Sequence, residues 1–125
     1  MKIKTGIDII EVDRIEKAIK EMGDIFLNKI YTKEEIEYCK NSGKMEYQHF
    51  AVRFAAKEAI FKALSEELEN YNDKIWTNIC IKNSEKGRPK VELNNMDFIK
   101  IESMDLSLSH IKDYAVANFV AILKD

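Results

Sequence analysis

"RFAAKEAIFKAL", residues 53–64, decides the fold. Its alanines, with Phe54, Phe61 and Leu64, mark a helix that extends in both directions. At about 100° per residue, Phe50, Phe54, Phe61, Leu64 and Leu68 share one stripe. Lys57 falls inside that stripe, Arg53 at one margin, and Glu58 with Lys62 at the other. Two accounts of these charges stay open from the residues alone. In one, Glu58 and Lys62 form a surface i,i+4 pair contributing about 0.3–0.5 kcal/mol, and Lys57 snorkels from an apolar edge. In the other, the helix carries a site for an anion and a metal.

The stripe predicts a helix from near Tyr47 to about Leu68, ending near "NYND", residues 70–73. Before it, "KIKTGIDII" alternates as a strand with Ile3, Thr5, Ile7 and Ile9 on one face and Asp8 on the other. Asp13 is expected to cap a helix whose apolar side is Ile15, Ala18, Ile19 and Met22, and "TKEE", residues 32–35, is a capping box. After the long helix the period changes. "IWTNICIK" (75–82) and "KVEL" (90–93) flank a turn at Gly87 and Pro89, and "LSLSH" (106–110) pairs with "YAVANFVAIL" (114–123). Helices come early and strands late, so the fold class is α+β: one domain, residues 1–125, with an antiparallel sheet packed on the long helix and shorter helices. The first strand must join the late sheet.

Composition bounds the function classes. With 46% hydrophobic and 34% charged residues, the chain is that of a soluble globular protein. A net charge of −2 gives no case for nucleic acid or an anionic membrane as partner. Cys39 and Cys80 lack CxxC spacing and fit reduced thiols in the cytoplasm, and with only His49 and His110 a zinc site is not expected. His49 reads as a helix-surface residue. "MKIKTGIDII" is no signal peptide, and "AVANFVAIL" falls far short of the roughly 20 residues that span a membrane.

A hard cation such as Mg²⁺ takes one or two protein carboxylates and completes its shell with phosphate and water. Asp8 at a strand end and Glu58 on the helix margin could supply them. Arg53, Lys57 and Lys62 would then neutralise substrate phosphates, with Ser109 and His110 as further donors at the mouth of the last hairpin.

"GIDIIEVDRI", "FLNKIYTKEE", "FAVRFAAKEAIFKAL", "NSEKGRP" and "LSLSHIKDYAVA" occur in this order over nearly the whole chain. Together they resemble the holo-acyl-carrier-protein synthase family, the short 4′-phosphopantetheinyl transferases. The resemblance implies that fold, and transfer of 4′-phosphopantetheine from coenzyme A to a serine of an apo-acyl carrier protein, releasing adenosine 3′,5′-bisphosphate. It implies Asp8 and Glu58 as Mg²⁺ ligands and Lys62 facing the coenzyme A pyrophosphate. Arg53, His110 and the turn at Gly87, Arg88 and Pro89 would line the nucleotide and its phosphates. Arg14 would meet the acidic recognition helix of the carrier, with Lys17 beside it and Met22 and Phe26 partly exposed toward it. The family also implies a homotrimer with active sites between neighbours. The alternative is a non-catalytic module of the same fold that binds coenzyme A or a carrier protein. Where the family follows "KAL" with Gly-x-Gly, this chain has "SEELENYNDK", which implies weaker coenzyme A binding with the catalytic step preserved.

Overall fold

The computed structural model describes residues 1–125. The elements run β1 (Lys2–Glu11), α1 (Val12–Met22), α2 (Asp24–Ile30), α3 (Lys33–Lys40), a 3₁₀ turn (Gly43–Met45), α4 (Glu46–Ala63), α5 (Ile75–Asn78), β2 (Ile79–Asn83), β3 (Pro89–Leu93), β4 (Ile101–His110) and β5 (Tyr114–Leu123). β1 does join the late hairpin, giving an antiparallel sheet in the order β1-β5-β4, while β2 and β3 form a separate two-stranded sheet. The expected α+β architecture with an antiparallel sheet against a long helix is what forms.

α4 packs on the inner face of the larger sheet and is buried on most sides. Its Ala55, Ala56, Ala59 and Ala63 enter the core with Ile60, Leu64, Leu106 and Phe119. Small residues let the backbones approach. At Gly6, in the middle of β1, an added Cβ would lie 1.8 Å from the Ala59 carbonyl oxygen. Only glycine fits there, and the contact sets Asp8, two residues on, against the Glu58 side of α4.

Lys57 is the buried answer to the charge inside the stripe. It is 0% exposed, and its ammonium donates to the carbonyls of Ile30 (2.9 Å), Trp76 (2.7 Å) and Ile79 (2.7 Å) and pairs with Glu35 Oε1 at 2.7 Å. Glu35 belongs to the expected capping box: it accepts from Thr32 N–H, and its other oxygen accepts from Ile81 N–H on β2 at 2.7 Å. One ion pair thus ties α2, α3, α4, α5 and β2 together.

Several expectations are corrected. α4 stops at Ala63, and Leu64 (φ −104°, ψ 15°) caps it. Residues 64–70 form turns, with Leu68 N–H on the Leu64 carbonyl and Tyr71 N–H on that of Leu68. Leu68 is buried as the stripe demands, but a turn delivers it. Ser65 Oγ–H donates to the Lys62 carbonyl at 3.1 Å, and Glu66 and Glu67 turn to Lys4 on β1. Carboxylates that would oppose the dipole of a continued helix pair with Lys4 from that turn instead.

"IWTN" is a helical turn and only Ile79–Asn83 is strand, because the Trp76 ring stacks on Phe54 at 6.1 Å and leans on Phe61 at 6.2 Å. Phe54 and Phe61 are accordingly half-buried. Asp13 sits in the first turn of α1, not at its cap, which is Glu11 and makes no side-chain bond. The outer face of the larger sheet carries an uncovered apolar stripe on β1, with Ile3, Ile7 and Ile9 exposed by 69%, 63% and 66% and Val120 beside them.

Candidate active site

Two clusters form on different sides of α4. Glu58 follows Arg53 by five residues, which on a helix is a rise of about 7.5 Å and a turn of about 140°. The hollows at these two residues share no lining residue.

The first hollow, about 390 Å³, is lined by Asp8, Ile9, Ile10, Arg14, Ile15, Ala18, Phe26, Phe54 and Glu58. β1 delivers Asp8, α4 delivers Glu58, and α1 delivers Arg14. Lys62, one turn beyond Glu58, donates to Asp8 Oδ1 at 3.1 Å and to the Ile7 carbonyl at 3.0 Å. The surface i,i+4 pair of Glu58 with Lys62 is therefore not what forms, since Lys62 reaches across to β1. Partial burial, then the neighbouring Asp8 carboxylate, push the Glu58 carboxyl above its ordinary value, against the pull of Lys62. Asp8 and Glu58 are the two carboxylates of this hollow that could hold a cation.

The second hollow, about 210 Å³, is lined by Tyr38, His49, Val52, Arg53, Asn83, Gly87, Pro89, Leu108 and His110. Arg53 is 3% exposed and has no carboxylate partner. Its guanidinium lies over the Tyr38 ring at 4.4 Å, makes long bonds of 3.4 Å to the His49 carbonyl and Asn83 Oδ1, and leaves Nε without a partner. A buried, uncompensated guanidinium is costly unless an anion joins it. Gly87 takes φ 81°, which closes the 84–88 turn through Gly87 N–H to the Ser84 carbonyl and brings backbone to the hollow.

The sequence-predicted residues divide between these places. Asp8, Glu58, Lys62, Arg14 and Phe26 gather at the first hollow, and Arg53, Gly87, Pro89 and His110 at the second. Arg88 points away and forks onto Asp105 at 3.1 and 3.3 Å. Ser109 is exposed on the side of β4 opposite to its neighbour His110. Lys17 is exposed and pairs with Asp13 at 2.9 Å, while Met22 is 47% exposed. Phe26 stacks on Phe54 at 6.5 Å. His49, read as a surface residue, is half-buried in the Arg53 hollow, where its ring meets His110 at 5.3 Å. Its place one turn before Arg53 was the available signal. Asn83 and Tyr38 carried none.

The family model of the 4′-phosphopantetheinyl transferase superfamily matches residues 4–118. The chain belongs to this superfamily. It is 39% identical over 130 residues to a holo-[acyl-carrier-protein] synthase of Ruminiclostridium cellulolyticum, covering 100% of this chain and 96% of that relative. It is 40% identical over 116 residues to the synthase of Chloroherpeton thalassium, covering 92% and 93%. The crystal structure of Helicobacter pylori holo-[acyl-carrier-protein] synthase in complex with coenzyme A superposes with a TM-score of 0.77 at 34% identity, covering 94% of this chain and 99% of that one. The fold is thus that of a phosphopantetheinyl transferase.

Proposed function

We propose that the chain transfers 4′-phosphopantetheine from coenzyme A to a serine of an apo-acyl carrier protein, giving the holo carrier and adenosine 3′,5′-bisphosphate. The observation that carries this reading is the meeting of Asp8, Glu58, Lys62 and Arg14 around one hollow, in a chain of this superfamily.

The chemistry needs those residues. The serine hydroxyl attacks the β-phosphorus of coenzyme A; a P–O bond to the serine forms, the bond to the bridging oxygen of the nucleotide phosphate breaks, and the serine proton is released. Negative charge develops on the departing phosphate, and positioning with electrostatic stabilisation supplies most of the rate. Lys62 neutralises that charge. Asp8 and Glu58, hard oxygen donors held together against their repulsion, fit Mg²⁺, and as a pair they leave room for substrate oxygens and water. When bound, Mg²⁺ would act as Lewis acid and template for the diphosphate. Arg14 and the exposed apolar side chains of Met22 and Ile25 face an acidic carrier from α1 and α2.

Arg53, with His110 and the Gly87 turn, takes the phosphate and nucleotide end. Because this hollow and that of Asp8 lie on different sides of α4, we read the donor site as shared between neighbouring copies in a homotrimer. The uncovered stripe of Ile3, Ile7, Ile9 and Val120 supports that assembly. An Ile7→Asp chain that still sediments as the wild type would refute it. The compartment we propose is the cytoplasm, in keeping with two free thiols, one of them, Cys39, pushed up to about 12 by burial, and with no helix long and apolar enough to cross a membrane.

The test is incubation with coenzyme A, Mg²⁺ and an apo-acyl carrier protein, read by mass spectrometry. A gain of the phosphopantetheine mass that chelator abolishes is the expected result. Coenzyme A binding without any transfer would favour the non-catalytic module.

A further inference from the structure

The Arg53 hollow holds a second imidazole to which the proposed reaction gives no part. His49 Nδ1 lies 2.7 Å from Ser42 Oγ, and Ser42 Oγ–H donates to the Tyr38 carbonyl at 2.8 Å. The one serine proton is used, so its oxygen must accept, and His49 carries its proton on Nδ1. His110 Nδ1 lies 2.7 Å from Gln48 Oε1, which can only accept, so His110 carries its proton on Nδ1 as well. In both neutral rings Nε2 keeps a lone pair and makes no hydrogen bond within the protein. The rings meet edge to face at 5.3 Å beside a guanidinium whose Nε is unpartnered.

We propose that His49 is a specificity residue of this hollow, and that His49 and His110 recognise a doubly charged phosphate monoester by taking up a proton at Nε2 as it enters. This rests on the reading of coenzyme A as donor. Coenzyme A carries one phosphate monoester, on the adenosine 3′ position, and a diphosphate that must lie with Asp8, Glu58 and Lys62 where the transferred bond breaks. A monoester is close to a dianion at neutral pH, whereas each diphosphate ester unit holds a single charge. A lone pair on Nε2 repels either anion, and a proton there turns the repulsion into a charge-assisted hydrogen bond.

The surroundings set the empty state. Facing the two rings are Arg53 from α4, the Tyr38 phenol from α3 and each other; the β2–β3 side contributes uncharged Asn83, Gly87 and Pro89. Glu34 and Glu37 of α3 line a separate hollow on the other side of His49. Partial burial first, then the Arg53 charge, lower both imidazoles from their ordinary value, with His110 adding to the effect at His49. Both rings are therefore neutral at pH 7 until a dianion offsets Arg53, and the proton comes from solvent.

The experiment is calorimetric titration of the full chain with coenzyme A and with dephospho-coenzyme A at pH 7.5, in buffers of differing ionisation enthalpy. Wild-type protein should take up about one proton per coenzyme A and close to none with dephospho-coenzyme A. His49→Gln should lose part of that uptake and about tenfold of the preference for coenzyme A over its dephospho form. Equal uptake with both ligands, or a His49→Gln chain with unchanged uptake and preference, overturns the inference alone if transfer is intact. A chain that binds neither ligand overturns this inference together with the reading on which it rests.

Discussion

Lys57 Nζ stands 2.7 Å from Glu35 Oε1 with both side chains fully buried. Burial lowers the Lys57 ammonium from its ordinary value, and Glu35 is the chief partner that opposes this. Lys57→Met leaves the Glu35 carboxylate buried and unpaired, at a cost of about 3–5 kcal/mol. A double substitution of a simple buried pair by apolar residues often recovers stability. Here Lys57→Met/Glu35→Leu should not recover it. The pair also satisfies the carbonyls of Ile30, Trp76 and Ile79 and the N–H groups of Thr32 and Ile81. Urea denaturation of both single variants and the double variant checks this; a double variant as stable as wild type contradicts it.

Gly6→Ala should act at a distance on the site. The new methyl would meet the Ala59 carbonyl, which is backbone and cannot rotate away. β1 and α4 must separate, at a cost of about 1–3 kcal/mol, and Asp8 moves relative to Glu58. Thermal melting should show the loss of stability, and transfer should fall even at temperatures where the variant is folded. Full activity with a wild-type melting curve would show that β1 and α4 do not touch as described.

How much of this was legible in sequence follows from what each residue's neighbours are. Alternation at Ile3–Ile9 and in the last two strands, and the Thr32–Glu35 capping box, are local patterns, so the larger sheet and the start of α3 were readable, while the Glu11 start of α1 and the separate helix α2 were not. Nor was the end of α4. Leu68 satisfied the helical stripe from a turn, and the Lys4 partner of Glu66 and Glu67 lies some sixty residues away on β1. Trp76 fits strand alternation equally well, and its stacking on Phe54 is a tertiary fact. At the site, Asp8 and Glu58 could be named from their surrounding motifs. The burial of Lys57 depends on partners from α2, α3, α5 and β2, and the meeting of His49 with His110 on contact between α4 and β4, none of which spacing encodes.

Asp8→Asn and Glu58→Gln test the metal assignment. Each should lower Mg²⁺-dependent transfer by roughly 100-fold or more, since several kcal/mol of charge stabilisation are at stake. Glu58 is raised by partial burial and by Asp8, so a neutral glutamine relieves repulsion in the metal-free chain. Its melting temperature should hold or rise as activity falls. A Glu58→Gln enzyme with wild-type Mg²⁺-dependent rates would mean that Glu58 is no ligand.

Arg14→Glu separates carrier recognition from donor binding. Arg14 is exposed at the rim of the Asp8 hollow, while neighbouring Lys17 is held by Asp13 at 2.9 Å. Charge reversal should slow encounter with an acidic carrier, raise KM for the carrier and flatten its salt dependence. Lys17→Glu should do less. Coenzyme A affinity, measured directly, should stay within about twofold for both. A loss of coenzyme A binding with carrier KM unchanged would move Arg14 to the donor side.

His49 and His110 also set a stability trend with pH. Both are lowered in the folded chain from an ordinary value of 6.5, by partial burial and then by Arg53. As pH falls through 6.5, the unfolded chain takes up protons that the folded chain does not. Stability is therefore present above that value and is lost progressively as pH falls toward the lower folded-state values. Melting temperatures of ligand-free protein should decline from about pH 7 to 5.5, above the range in which ordinary carboxylates titrate. His49→Gln/His110→Gln should flatten that decline, and adenosine 3′,5′-bisphosphate should reverse it by favouring the charged rings. A slope unchanged in the double variant would place the titrating groups elsewhere.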